Sequence, residues 1–143
     1  MFRKLSDSIF ASPQIGLAEV AEAADQGIAV IVNNRPEDES DDQTPGAEIE
    51  AAAREKGMDY VAIPVTHAGF SESQVKAMAE ALDRADGPVL AYCRSGTRST
   101  LLWSLAQASK GADPDALAAQ AAQAGYDLSP VRQLLDMLAA NRN

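Results

Sequence analysis

Cys93 is the chain's one cysteine, and the residues after it, Arg94-Ser95-Gly96-Thr97-Arg98-Ser99, are polar, cationic or small. An apolar run, Val89-Leu90-Ala91-Tyr92, leads into it. Beyond the turn, Leu101, Leu102, Trp103 and Leu105 resume at helical spacing, so the cysteine is predicted at the joint between a buried strand and the first turn of a helix. The first N–H groups of a helix have no internal partner and carry partial positive charge, which stabilises an anion in front of them. Arg94 and Arg98 add full charges, and Gly96 gives the backbone freedom to curl its N–H groups inward as an anion-binding nest with Ser95, Thr97 and Ser99. A thiol at such a place is expected to ionise early and act as a nucleophile. The alternative, a small buried core residue, does not call for two arginines, a glycine and three hydroxyls in the next six places.

The remaining candidates are fewer. Arg35, in Asn33-Asn34-Arg35-Pro36, leaves the end of an apolar strand and is placed either toward the same anion or in a solvated turn. His67, the one histidine, stands in the loop Thr66-His67-Ala68-Gly69-Phe70 and is either a pocket contact or an exposed group. The acidic run at 37–42 has no histidine or patterned glycine beside it and is expected to be a solvated loop rather than a metal site. No metal and no cofactor are expected.

The elements that position these residues alternate in type. A short strand is predicted at 8–12, stopped by Pro13, and a helix at 16–26 closed by Gly27. The run 28–32 is apolar throughout, the mark of a strand covered on both faces. Thr44 and Pro45 open a helix that ends at Gly57, and the strand at 59–65 has a proline that puts it at an edge or near its end. Ser71 with Gln74 forms a capping box for a helix whose Val75, Met78, Ala79 and Leu82 share one face. Asp113-Pro114 and Ser129-Pro130 open two last helices, and Trp103 is expected in the core. The prediction is an α/β chain of three layers, helices over both faces of a mainly parallel sheet of four to five strands. It is one domain over 1–143, with 113–143 a helical extension of it.

Composition narrows the partners. A net charge of −9 speaks against nucleic acid and anionic membranes, and one cysteine permits no internal disulfide. No apolar run is long enough for a signal peptide or a membrane span, and a cytoplasmic protein is expected.

The segments Ile31-Val32-Asn33-Asn34-Arg35-Pro36, Ile63-Pro64-Val65-Thr66 and Tyr92-Cys93-Arg94-Ser95-Gly96-Thr97-Arg98-Ser99, in that order, resemble the beta-lactamase-hydrolase-like, phosphatase-like family of small bacterial proteins. The resemblance runs from about residue 8 to residue 107. It implies a protein-tyrosine-phosphatase-like fold with a cysteine loop similar to that of rhodaneses. It also implies a partnership with persulfide dioxygenases or sulfide:quinone oxidoreductases, to which such domains are fused in some members.

The resemblance implies two reactions. The phosphatase signature has a histidine before the cysteine and one residue more between cysteine and arginine; here Tyr92 precedes Cys93, four residues separate Cys93 from Arg98, and Ser99 occupies the signature arginine's place. Moving that arginine is expected to turn its side chain away from a phosphate. A phosphatase also uses an aspartate on a loop after a strand, whereas no aspartate comes after Val65 until Asp83. Sulfur transfer needs no strong acid. The sequence therefore predicts a rhodanese-like sulfurtransferase that moves sulfur from thiosulfate or glutathione persulfide to a thiol acceptor through a Cys93 persulfide, held by Arg98, Arg94 and the loop. Its alternatives are a cysteine-dependent phosphatase with a phosphocysteine intermediate and a non-catalytic anion or persulfide sensor.

Overall fold

The computed structural model describes residues 2–141. Five strands form one sheet: β1 (Arg3–Ser6), β2 (Ile9–Ser12), β3 (Val30–Asn33), β4 (Asp59–Ala62) and β5 (Val89–Tyr92). Their order is β1-β2-β5-β3-β4, with β1 antiparallel to β2 and every other neighbour parallel. Parallel neighbours need crossovers, and these are supplied by α1 (Leu17–Asp25), α2 (Gly46–Glu55) and α3 (Glu72–Arg84), while α4 (Thr97–Ser109) leaves the end of β5. Two further helices, α5 (Pro114–Gln123) and α6 (Arg132–Ala140), complete the chain on either side of a short 3-10 turn at Ser129–Val131.

The predicted three-layer α/β architecture is the one observed. Side chains alternate across the sheet with period two. Val30, Val32, Val89 and Ala91 face one core with Val75, Met78, Leu102, Leu105, Leu117 and Leu135, whereas Ile31, Leu90 and Tyr92 face the other with Val20, Ala23, Ile49 and Ala53. Both β3 and β5 are therefore buried along their whole length, as their unbroken apolar runs predict.

Several boundaries differ from the sequence reading. The strand predicted at 59–65 is regular only to Ala62, and β4 is an edge strand, where Pro64 falls between two residues that still bond to the end of β3 and its missing N–H costs no bond there. Pro45 is the residue flanking α2 rather than its first helical residue, and Thr44 does not stand at the cap position. The capping box of α3 is present as predicted: Ser71 Oγ accepts from Gln74 N at 3.2 Å and Ser71 N donates to Gln74 Oε1 at 2.8 Å. No strand is predicted over β1, in which one side chain alone, Leu5, is buried. Among the described residues, no helix is long and apolar enough to cross a membrane.

Candidate active site

The parallel arrangement brings the C-terminal ends of β2, β3 and β5 to one edge of the sheet, where ligands gather in open α/β folds. Cys93 is the residue immediately after central strand β5, and its N–H continues the ladder by donating to Ser12 O at 3.3 Å. The chain then turns through Arg94 and Ser95 to Gly96, whose φ of 94° lies in the left-handed region, and α4 begins at Thr97. This turn folds the Gly96 N–H back onto the cysteine, where it donates to Cys93 Sγ at 3.1 Å. Cys93, Gly96, Arg98 and Ser99 are buried, while Arg94, Ser95 and Thr97 are exposed along the outer edge.

Arg98, on the first turn of α4, is 8% exposed and lies beside Cys93, which raises its already high pKa, although less than its bond to Glu39 does. Its guanidinium makes three hydrogen bonds. Nη1 donates to Glu39 Oε2 at 2.6 Å and to Val65 O at 2.7 Å, and Nη2 donates to Glu39 Oε1 at 2.9 Å. Val65 reaches that spot because the chain beyond β4 keeps pairing with the end of β3: Ile63 N donates to Asn33 O and Val65 N to Asn34 O, each at 2.9 Å.

Glu39 also joins Arg98 to Arg35. Arg35, 4% exposed, donates from Nε to Glu39 Oε1 at 2.8 Å, from Nη1 to Gln14 Oε1 at 3.0 Å and from Nη2 to Ser40 Oγ at 3.1 Å. Hydrogen bonds from Arg98, then from Arg35, outweigh the effect of burial and hold the Glu39 carboxyl at about 2, well below its ordinary 4.5. Gln14 N in turn donates to Arg94 O at 3.2 Å, so the exit of β2, Arg35 and the cysteine loop are tied together.

The structure thus gathers Cys93, Arg98 and the loop 94–99, with Arg35 one carboxylate away. The Arg94 side chain is exposed, and His67 is exposed on the loop after β4. Ser99 Oγ is buried and has no hydrogen-bond partner. Tyr92, where the phosphatase signature has a histidine, is buried in the core, and burial raises its phenol and keeps it protonated. Among the described residues, no group of three His, Cys, Asp or Glu could hold a metal ion. A cavity of about 460 Å³ bounded by Asp7, Trp103 and Lys110 lies near Ile9 and Val89, at the opposite ends of β2 and β5.

The chain is similar to known proteins in sequence and in fold. The family model for the phosphatase-like domain of beta-lactamase hydrolase-like proteins matches residues 1–110. The chain belongs to that family. The beta-lactamase hydrolase-like protein of Agrobacterium fabrum is 32% identical over 108 residues, which are 76% of this chain and 25% of that protein, so this chain spans about a quarter of such relatives. Among solved structures, a candidate phosphatase of Neisseria meningitidis is similar at a TM-score of 0.83 and 34% identity, over 95% of this chain and 96% of that one. Tk-PTP, at 15% identity and a TM-score of 0.75, covers 98% of this chain and 97% of its own, and shares the fold.

Membership in a phosphatase-like family, with phosphatase-type neighbours in structure, overturns the sulfurtransferase reading. That reading rested on the shortened spacing between Cys93 and Arg98 and on the absence of an aspartate between Val65 and Asp83. The Arg98 guanidinium donates to Glu39 and Val65 O, and Cys93 is near enough to raise its pKa further.

Three residues at or beside the site, Glu39, Glu37 and Tyr126, are not singled out by the sequence reading. Glu39 sits in the acidic run expected to be solvated, and the one local signal for it is its i,i+4 spacing from Arg35. Glu37, in the same run, accepts from Gly46 N at 2.9 Å and pins the segment to the start of α2. Tyr126, between α5 and α6, donates from its hydroxyl to Ser95 O at 3.1 Å, and nothing local in the sequence points to that contact.

Proposed function

We propose that this chain is a cysteine-dependent phosphatase that hydrolyses aryl phosphate monoesters through a phosphocysteine at Cys93. One observation carries the reading. A guanidinium has five N–H donors, and Glu39 and Val65 O take three from Arg98, both on Nη1 and one on Nη2. Its Nε–H and second Nη2–H, which lie parallel on one side, remain for two oxygens of a phosphoryl group beside Cys93.

The Cys93 sulfur attacks phosphorus, and the S–P bond forms as the bond to the ester oxygen breaks. Arg98 and the Gly96 N–H face the charge that gathers around the phosphoryl oxygens and the sulfur, the kind of electrostatic stabilisation that dominates many active sites. The departing oxygen takes its proton from water, since the loop after β4 has His67 exposed and no carboxyl group. A phenol tolerates this better than an alkyl alcohol because its anion is far more stable, so the substrate class is aryl phosphate, phosphotyrosine included. A water molecule then attacks phosphorus, the S–P bond breaks, inorganic phosphate leaves with the water oxygen, and the thiolate is restored. Such chemistry needs the thiol reduced, which fits a cytoplasmic setting.

The test is release of phosphate from p-nitrophenyl phosphate by the wild type and by Cys93→Ser, with intact mass after an acid quench. The reading expects turnover in the wild type alone and one added phosphoryl group on Cys93. A folded wild type that releases no more phosphate than Cys93→Ser overturns it.

A further inference from the structure

The hydrogen bond from Gly96 N to Cys93 Sγ and the hydrogen bond from Tyr126 Oη to Ser95 O meet on a single amide, because the Ser95 carbonyl and the Gly96 N–H belong to the same peptide unit. The chain of bonds therefore runs from the Tyr126 hydroxyl through the carbonyl and the N–H to the sulfur. We propose that Tyr126 is a positioning residue, which fixes the Ser95–Gly96 peptide with its N–H on Cys93 and thereby makes that sulfur a better nucleophile.

The peptide needs such a partner. It lies between exposed Ser95 and a left-handed glycine, and Gly96 has no side chain to oppose rotation of the unit. A flip would aim a carbonyl oxygen, rather than an N–H, at the sulfur. Tyr126 also fills the space beside Gly96, where its hydroxyl lies 2.1 Å from the place a Cβ would occupy. Hydrogen bonds in series polarise one another, so accepting at the carbonyl strengthens donation at the N–H.

Tyr126 is itself held on three sides. Its N–H donates to Ala121 O at 2.9 Å at the end of α5. The guanidinium of Arg3, on β1, stacks 5.2 Å from the ring centroid and donates to Ala124 O at 3.3 Å. The side chain is 7% exposed, and burial raises its phenol, so at neutral pH it is a donor. Residue 126 lies beyond the residues 1–110 that the family model matches, which gives the segment after α4 a role at the site.

The effect on turnover rests on the phosphatase reading, whereas the effect on the thiol does not. The experiment compares wild type and Tyr126→Phe for alkylation of Cys93 by iodoacetamide at pH 7, read by intact mass, in which the single cysteine makes any one adduct unambiguous. Losing one hydrogen bond of ordinary strength is expected to slow alkylation about three- to tenfold. The kcat for p-nitrophenyl phosphate is expected to fall by a like factor with KM little changed, and the Gly96 amide proton to move upfield in the NMR spectrum. Mere loosening of the fold would expose the buried thiol and speed alkylation. Alkylation as fast as or faster than wild type, with the Gly96 resonance unmoved, overturns the inference. Absent turnover in the wild type would instead count against the phosphatase reading alone.

Discussion

Glu39→Gln removes one charge from the centre of the site and leaves its shape nearly intact. In the folded chain the Glu39 carboxyl is at about 2 instead of 4.5, and its side chain is 18% exposed, so solvent screens it little. The difference between those two values corresponds to roughly 3 kcal/mol of preference for the ionised form in the folded state. Because the folded value is the lower one, this stability is complete well above pH 4.5 and is lost as the pH falls from there toward 2. Glutamine does not titrate and leaves Arg98 and Arg35 without their shared anion. Urea unfolding at a series of pH values is therefore expected to show Glu39→Gln less stable than wild type by about 3 kcal/mol at pH 7 and by roughly 1 kcal/mol near pH 3. A gap at pH 7 under about 0.5 kcal/mol, or one equally large at both pH values, would refute the charge argument.

Two further outcomes test the geometry. Gly96→Ala places a Cβ 2.1 Å from Tyr126 Oη at a φ of 94°, and a loss of about 3 kcal/mol in urea unfolding is expected. Combining it with Tyr126→Phe is expected to restore about 1 kcal/mol, and no recovery would mean that the hydroxyl is not what obstructs the methyl. Arg98→Lys keeps the charge but presents no side-on pair, so kcat/KM for p-nitrophenyl phosphate is expected to fall about a hundredfold. A loss of less than about threefold would remove the two-point grip from the reading.

Local patterns in the chain reveal the parts of the fold that local physics decides. The apolar runs of β3 and β5, the Ser71 capping box and the polar turn after Cys93 are each written in a few adjacent residues. β1 was not legible because an edge strand with one buried side chain has no apolar run. Glu39 was hidden for another reason: five acids within six residues read as a solvated loop, and the partner that buries one of them lies 59 positions away. Tyr126 meets Ser95 across 31 positions, a contact made by the packing of the last helices rather than by any local spacing. The choice of reaction failed because the spacing from Cys93 to Arg98 and the absent aspartate outweighed the phosphatase-like family to which the chain belongs.

Helix α4, which starts at the cysteine loop, is buried at ten of its thirteen residues. A segment enclosed on nearly every side opens chiefly when the whole domain opens, so the floor of the site is expected to share the slowest hydrogen exchange of the molecule. The acidic run over Arg98 is attached differently, chiefly through side chains, among them Glu37 to Gly46 N, Glu39 to the two arginines and Gln43 to Pro36 O. Opening near Cys93 is therefore expected in this acidic run before it reaches α4.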